Sequence, residues 1–279
     1  MTLSPMRQYL IDAFASRPFR GNPACVVEPL DAWPDAAFMQ ALAMENNQAE
    51  TAFLVKTSDP ARFGLRWFTP AMEAPLCGHA TLASAHALFN EMDHKAERLT
   101  FDTLSGELTA RRSEGGKLEL DFPAYLPQEI SPMPELEAIL GVKPVALYGG
   151  PALIARLSTE AEVRNLTPDI ARLPHYSGGV YNERHIVVTA PADAGSGFDA
   201  VSRLFAPDMG IDEDPATGSM HCMLTPLYHA RTGKTQFEFY QAFPRRGAEL
   251  QCELAGDRVK LRGHAVTVAR SELLLEPSC

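Results

Sequence analysis

The chain has 279 residues with 25 basic and 35 acidic side chains, which gives a formal net charge of −10. No dense cluster of Lys and Arg is present, so the composition argues against binding to nucleic acid or to a membrane surface, where phosphates require concentrated positive charge. The apolar stretches are shorter than the roughly 20 residues that cross a bilayer, and the first residues lack the apolar core of a secretory signal. Five cysteines without a Cys-x-x-Cys pair favour free thiols in a reducing cytoplasm. We therefore expect a cytoplasmic protein.

Short apolar runs punctuated by Gly and Pro predict β-strands along the whole chain. The clearest runs cover residues 24–27, 52–55, 62–68, 117–122, 185–189, 237–240 and 259–261. Apolar residues at helical spacing predict an amphipathic helix over 35–45. A second helix is predicted over 132–140, with Ser131 as N-cap, Pro132 in the first helical position and Gly141 closing the end.

An internal repeat is the most informative feature of the sequence. Residues 66–72 (RWFTPAM) match residues 203–209 (RLFAPDM) at Arg, Phe, Pro and Met, and the two copies lie about half the chain apart. Each copy is followed by a glycine-containing turn, at 77–81 and at 214–219, and then by a run of small and apolar residues. We interpret the pattern as a duplication.

The duplication predicts two similar domains, 1–125 and 126–279, each a mixed sheet around a central helix. The final strand is free to cross back to the first half, and the halves would face each other across a cleft. Residues 82–89 (LASAHALF) are small or apolar nearly all round, which is typical of a buried helix. The free N–H groups at such helix starts bind anions and stabilise a developing enolate, and Gly78 and Gly218 allow a substrate to approach the backbone.

Four motifs in this order resemble the PhzF-like family of phenazine-biosynthesis proteins. They are IDAFASRPFRGNPACVV from residue 11, NQAETAF from residue 47, LCGHATLASAHALF from residue 76 and EDPATGS from residue 213. The resemblance runs over nearly the whole chain. It implies an α+β fold of the diaminopimelate epimerase-like type, with two pseudo-symmetric domains, each a barrel-like mixed sheet around a central helix. It also implies a homodimer and carbon-acid isomerisation of a small carboxylate-bearing metabolite without metal or organic cofactor.

The resemblance further implies roles for individual residues. In the best-known member a glutamate shuttles a proton between two carbons of dihydro-hydroxyanthranilate, and the matching residue here is Glu50. The family's histidine matches His79, and its acidic residue in the second turn matches Asp214. Its hydroxyl residue in that turn matches Ser219. We expect Gly78, Ala80, Gly218 and Ser219 to bind the substrate. Many relatives have no established substrate, so family membership leaves the reaction of this chain open.

Each role has a structural alternative. Glu50 lies just before the predicted strand 52–55, and we expect it to be buried, since desolvation suits a carboxylate that takes and returns a proton. The alternative is a surface carboxylate or a salt bridge at a strand end. His79 is otherwise a capping or core histidine, and Asp214 and Ser219 also suit the start of a helix.

Two further residues, Cys77 and Asn22, are possible site residues. Diaminopimelate epimerases and proline racemases use two opposed cysteines, and Cys77 occupies the first of these places. The second place falls at Pro215, and Cys222 lies about one turn further along the helix, so a two-thiol racemase is disfavoured. We therefore expect Cys77 to be a small buried thiol, and Asn22 to be a turn residue between Gly21 and Pro23.

Two other functions stay open beside the isomerase. One is an amino-acid or hydroxy-acid racemase or epimerase that uses Glu50 or Cys77. The other is a non-catalytic small-molecule-binding or interaction protein on the same fold. Departures from the family pattern support it, such as Ala49 in place of the usual Ser, and Pro226, which we expect to kink or end the second central helix. The eight histidines are scattered without a third ligand beside any pair, so no metal site is predicted.

Overall fold

The structure, a computed structural model, describes residues 6–175, 186–207 and 211–274. Its strands in chain order are β1 (Met6–Ala13), β2 (Asn22–Val27), β3 (Glu50–Lys56), β4 (Arg62–Phe68), β5 (Glu73–Ala74), β6 (Arg98–Thr103), β7 (Gly106–Arg112), β8 (Leu118–Pro123), β9 (Gln128–Ile130), β10 (Ala146–Gly149), β11 (Leu153–Arg156), β12 (Ile186–Pro191), β13 (Ala200–Ala206), β14 (Ile211–Asp214), β15 (Gln236–Gln241), β16 (Ala248–Ala255), β17 (Arg258–Gly263) and β18 (Ala265–Leu273). Every strand predicted above overlaps one of these. His185 of the predicted strand 185–189 and Asp208–Met209 of the second copy of the repeat lie outside the described residues.

Helices occupy less of the chain than strands. They are α1 (Ala36–Asn46), α2 (Gly78–His86), α3 (Pro134–Leu140), α4 (Glu160–Asn165) and α5 (Gly218–Thr232). A π-helical turn, Ala87–Glu91, continues α2, and 3₁₀ turns cover Glu114–Gly116 and Ile170–His175. Within the described ranges, no helix is both long enough and apolar enough to span a membrane.

The chain divides into two compact units. The first contains the described residues up to Asp121 and those from Arg262 onward, and the second runs from Phe122 to Leu261. The chain thus passes between the units within β8 and returns within β17, so that β18 belongs to the first unit.

In the first unit the strands pair in the order β18–β1–β2–β3–β4–β6–β7–β8. The pairs β2/β3 and β4/β6 are parallel and the others are antiparallel. The two-residue strand β5 pairs antiparallel with Trp67 and Phe68 at the end of β4. Helix α2 contacts β1, β2, β3, β7 and β18, which lie near opposite ends of this order. The sheet therefore curls around α2, which explains why every residue of that helix is buried.

The second unit repeats this succession. Antiparallel β10/β11 is followed by parallel β11/β12, antiparallel β12/β13, parallel β13/β15 and antiparallel β15/β16, with β14 added to β13. Helix α4 stands between β11 and β12 as α1 stands between β2 and β3, and α5 follows β14 as α2 follows β5. The duplication inferred from the sequence is thus visible as one strand topology used twice.

The repeated sequence motif builds the same interaction in each unit. Arg66 on β4 makes two hydrogen bonds of 2.7 Å to Glu73, and its guanidinium lies 5.2 Å from the ring centre of Phe68. Arg203 on β13 makes hydrogen bonds of 2.6 and 2.8 Å to Glu213, and lies 5.0 Å from the ring centre of Phe205. Each bidentate pair fixes the short strand that leads into the turn before the central helix.

The predicted start of the helix over 132–140 is wrong by two residues. Its N-cap is Met133, with φ −123° and ψ 99°, and Pro134 is the first helical residue. A residue before proline is pushed out of the α region by the pyrrolidine ring, so Met133 stays extended and Ser131 lies outside the helix. Gly141 ends the helix in the left-handed region, as predicted.

Pro226 does not end α5, so of the two expected effects, a kink or an end, the second is wrong. The helix continues to Thr232, although Pro226 lacks the N–H that would bond to the carbonyl of Cys222. The backbone N–H of Tyr125 donates to that carbonyl instead, at 3.0 Å. An internal proline leaves one carbonyl without its helical donor, and its ring crowds the preceding turn. The N–H of Tyr125 removes the first of these two costs.

Candidate active site

Glu50 is the first residue of β3 and is only 5% exposed, which confirms the expected burial. In the parallel pair β2/β3 it lies opposite Ala24, two residues along β2 from Asn22. Residues two apart on a strand share a face, and so do directly paired residues. Glu50 and Asn22 therefore lie on the same face of the sheet.

That face is covered by the start of α2. Asn22 is fully buried, and its amide nitrogen lies 3.1 Å from Nδ1 of His79, the second residue of α2. The preceding Gly21 has φ +60°, and an added Cβ would lie 2.0 Å from the carbonyl oxygen of Ala13. Only glycine fits there, and it delivers Asn22 into β2 at the point where its side chain reaches His79.

The contact determines the proton of the imidazole. In the orientation that the structure gives the Asn22 amide, its nitrogen donates to Nδ1 of His79, and the ring proton is then on Nε2. Burial lowers the pKa of His79 from 6.5 to about 3, because the charged imidazolium is disfavoured away from water. His79 is therefore neutral at physiological pH and presents an N–H donor rather than a positive charge.

The start of α2 has no side-chain cap among the described residues, and Cys77 is its N-cap. The first helical hydrogen bond runs from the N–H of Thr81 to the carbonyl of Cys77, at 3.2 Å. By helix geometry, the N–H groups of Gly78, His79 and Ala80 have no partner within the helix. By contrast, α1 is capped by the side chain of Asp35. Uncapped N–H groups and the positive end of the dipole make the start of α2 suited to an anion.

The two central helices differ in where a thiol lies near their starts. Cys77 is buried, and its Sγ lies 3.3 Å from Nδ1 of His79. In the second unit Cys222 is inside α5, where its Sγ contacts the carbonyl of Gly218 at 3.7 Å. The turn 214–219 itself contains no cysteine. The described residues thus provide one thiol beside a helix start and none in the corresponding turn of the other unit.

In the second unit, Asp214 ends β14 and is 9% exposed. Its Oδ2 accepts a short hydrogen bond from the hydroxyl of Thr217, which is the N-cap of α5. Since that hydroxyl is directed at Asp214, it does not cap the helix, and the first turn of α5 also contains no acidic residue. Gly218 is buried and Ser219 is exposed at this helix start.

Sequence reasoning missed three residues at the Asp214 turn and the start of α5. Thr217 and the fully buried Gln241 hydrogen-bond to Asp214, and His221 in the first turn of α5 is also fully buried. Nδ1 of His221 donates to the carbonyl of Thr217 at 2.8 Å, and burial lowers its pKa to about 4. Thr217 and His221 stood within or beside the EDPATGS motif, but Gln241 lies in a distant strand and gave no sequence signal.

The structure thus brings the predicted residues together in two groups. Asn22, Cys77 and His79 are in direct contact in the first unit, and Glu50 shares the face on which they lie. Asp214, Gly218 and Ser219 form one turn in the second unit. The described residues contain no group of three or more His, Cys, Asp or Glu side chains that could hold a metal ion.

Comparison with known proteins adds the family context. The family model described as "Phenazine biosynthesis-like protein" (PhzC-PhzF) matches residues 11–271. A Pseudomonas aeruginosa protein named as an uncharacterized isomerase is 47% identical over 269 residues, which cover 95% of this chain and 97% of that protein.

Solved structures extend the comparison to the fold. A PhzF-family phenazine biosynthesis protein from Enterococcus faecalis is 42% identical with a TM-score of 0.90, and the match covers 98% of this chain and all of that one. A probable proline racemase from Agrobacterium radiobacter is 13% identical with a TM-score of 0.62, over 98% of this chain and 94% of that one. The second likeness shows the shared epimerase-like fold alone.

Proposed function

Since the chain belongs to the phenazine biosynthesis-like (PhzC-PhzF) family and is an isomerase with the diaminopimelate epimerase-like fold, we propose that it moves a proton between carbons of a small carboxylate-bearing metabolite, with Glu50 as the general acid and base. The observation that carries the proposal is the position of Glu50. It is a buried carboxylate on the sheet face where Asn22 meets His79 at the start of α2. No cofactor has a role in the proposed reaction.

Burial suits Glu50 to the transfer of a proton. Away from bulk water the charge of a carboxylate is poorly solvated, so its attraction for a proton on an acidic carbon is not screened. Removal of a proton from carbon leaves negative charge on the substrate. The N–H groups that begin α2 and the Nε2–H of neutral His79 are donors of the kind that stabilise such charge.

Asp214, Gly218 and Ser219 have binding roles in this proposal. The exposed hydroxyl of Ser219 and the backbone N–H groups at the start of α5 can donate to a substrate carboxylate. The Asp214 carboxylate, held by Thr217, can accept from an amino or hydroxyl group. A substrate that carries both kinds of group fits the start of α5.

The experiment is deuterium exchange followed by NMR. The protein and Glu50→Gln are incubated in D₂O with dihydro-hydroxyanthranilate and with a panel of amino and hydroxy acids. We expect deuterium at carbon with the native protein and a loss of roughly 10²–10⁴-fold in Glu50→Gln, the usual contribution of general acid–base catalysis. Glu28→Gln is the matched control, because Glu28 also lies at the end of a strand of the first unit but accepts from Tyr9 at the other end of β2.

The outcome distinguishes the candidate functions. Exchange at two carbons of one substrate supports isomerisation, and exchange at a single stereocentre supports a racemase or epimerase. The contact between Cys77 and His79 is the observation that favours the second reading. Tight binding of a compound without any exchange would instead indicate a binding protein, and equal exchange in Glu50→Gln would eliminate Glu50 as the base.

A further inference from the structure

Gln241 contacts the turn of Asp214 through every polar atom of its side chain. It is the last residue of β15 and is fully buried. Its Oε1 accepts from the backbone N–H of Thr217 at 2.7 Å, and its Nε2 donates to the backbone carbonyl of Asp214 at 2.7 Å. The amide thus bridges the two ends of the turn, as a neighbouring strand would.

The orientation of this amide follows from its partners. A backbone N–H can only donate and a backbone carbonyl can only accept, so Oε1 must face Thr217 and Nε2 must face Asp214. Nε2 also lies 3.2 Å from the hydroxyl oxygen of Thr217. Since Nε2 donates there too, the hydroxyl oxygen accepts, and its single proton is left for Asp214.

We propose that Gln241 is a positioning residue for the reaction, which holds the carboxylate of Asp214 in place through the hydroxyl of Thr217. This inference rests on the proposed function, because Asp214 has its binding role only there. Gln241 touches no reacting atom. It directs the proton of Thr217 to Oδ2 of Asp214, and thereby fixes the rotation of the carboxylate.

The direct test removes the amide without changing the side-chain length. We expect Gln241→Met to lower kcat by about tenfold to a hundredfold, which is typical when a binding group is displaced by about 1 Å, with a smaller effect on KM. Gln251→Met is the matched control, since Gln251 lies on the adjacent strand and donates to Glu238 at 2.8 Å. Loss of activity equal to that of the control would overturn the inference.

Two variants distinguish positioning from a structural role. Thr217→Ser keeps the hydroxyl and should retain the native rate, whereas Thr217→Val should match Gln241→Met. Because both residues act through one hydroxyl, the double variant of Gln241→Met with Thr217→Val should be no slower than either single variant. Additive losses would show that Gln241 acts by another route and would overturn the proposal.

A pH profile gives an independent signature. An ionised glutamate at 241 can accept from Thr217 but cannot donate to Asp214, and a protonated glutamate regains a donor. The rate of Gln241→Glu relative to the native protein should therefore rise as the pH falls, while that of Gln241→Met should stay level. Parallel profiles for the two variants would contradict the proposed donation.

Failure of the proposed function remains distinguishable from failure of this inference. If the native protein exchanges no carbon-bound proton in the panel, the proposed function fails. Amide hydrogen exchange of Thr217 then still tests the clamp, by which we mean the bridge that the Gln241 side chain makes between Thr217 and Asp214. The N–H of Thr217 bonds to Oε1 of Gln241. Slow exchange in the native protein and fast exchange in Gln241→Met supports the clamp, and equal rates overturn it.

Discussion

The amide nitrogen of Asn22 lies 3.1 Å from Nδ1 of His79, and both side chains are buried. The residues come from a strand and a helix that are 57 positions apart in the chain. Burial keeps the imidazole of His79 neutral, and the Asn22 contact as oriented in the structure puts its proton on Nε2. The first prediction follows from this assignment.

Replacement of the Asn22 amide by a carboxylate should change the protonation of His79. In Asn22→Asp an acceptor faces Nδ1, so the ring proton moves to Nδ1 and the pKa of His79 rises above its native value. We expect ¹⁵N NMR to show the changed tautomer and carbon-proton exchange to slow by about tenfold or more. The control is Asn90→Asp, because Asn90 makes a similar 3.0 Å contact with His86 beyond the end of α2. Unchanged ¹⁵N shifts of His79 would contradict the assignment.

Two buried histidines should make the protein acid-sensitive. Burial lowers the pKa of His79 to about 3 and that of His221 to about 4, from 6.5. Below pH 6.5 these two histidines bind protons in the unfolded chain but not in the folded chain. The free energy of unfolding therefore has its full value above pH 6.5 and decreases as the pH falls toward 4 and 3. Each histidine should add a slope of about 1.4 kcal/mol per pH unit to the free energy of unfolding near pH 5.

Urea unfolding between pH 7 and pH 5 measures this slope. His221→Asn is the informative variant, because it removes one titrating group while Asn can still donate to the carbonyl of Thr217. We expect its stability to depend less steeply on pH than that of the native protein. Identical slopes would show that His221 is protonated in the folded state.

The two repeated ion pairs should differ in their importance. The side chains of Arg203 and Glu213 are 6% and 12% exposed, whereas those of Arg66 and Glu73 are 24% and 26% exposed. Arg203 also donates to the carbonyl of Leu166 at 2.6 Å, just beyond α4. Glu213→Gln, which leaves a buried guanidinium without its counter-charge, should lower the free energy of unfolding by about 3–5 kcal/mol.

The matched variant is Glu73→Gln in the first unit. Its pair is more accessible to water, which replaces part of the lost interaction, so we expect a cost nearer to about 1 kcal/mol. Chemical denaturation of both variants provides the comparison. Equal losses would mean that burial of the Arg203 pair does not decide its contribution.

Cys77 should be dispensable if Glu50 is the base. Cys77→Ala keeps the small volume at the start of α2 and removes the sulfur that lies 3.3 Å from His79. We expect the exchange rate to fall by less than about tenfold, below the roughly 10²–10⁴-fold contribution of a general acid or base. A larger loss, with Cys77→Ser equally slow, would favour the thiol-dependent racemase.

Local pattern was sufficient for much of the fold. Short apolar runs punctuated by Gly and Pro predicted seven strands that the structure contains, and the small-residue run after Gly78 predicted a helix that is buried on all sides. The repeated Arg-x-Phe motif predicted the duplication. The motif is visible in the sequence because in each unit its arginine binds a glutamate nearby in the chain and needs no distant partner. The burial of Glu50 at a strand start was also predictable. These features depend on residues close together in the chain.

Tertiary structure alone decided the features that depend on distant partners. Helix α5 runs through Pro226 because Tyr125 supplies a donor to the carbonyl that proline leaves bare. Asn22 has a partner only because α2 packs on β2, and Gln241 reaches Asp214 only because β15 lies beside β13. A hydrogen bond between residues far apart in the chain leaves no periodic pattern in the sequence. The sequence by itself therefore determined the strands, the central helices and the identity of the candidate base, and the folded chain determined which side chains hold the candidate site residues in place.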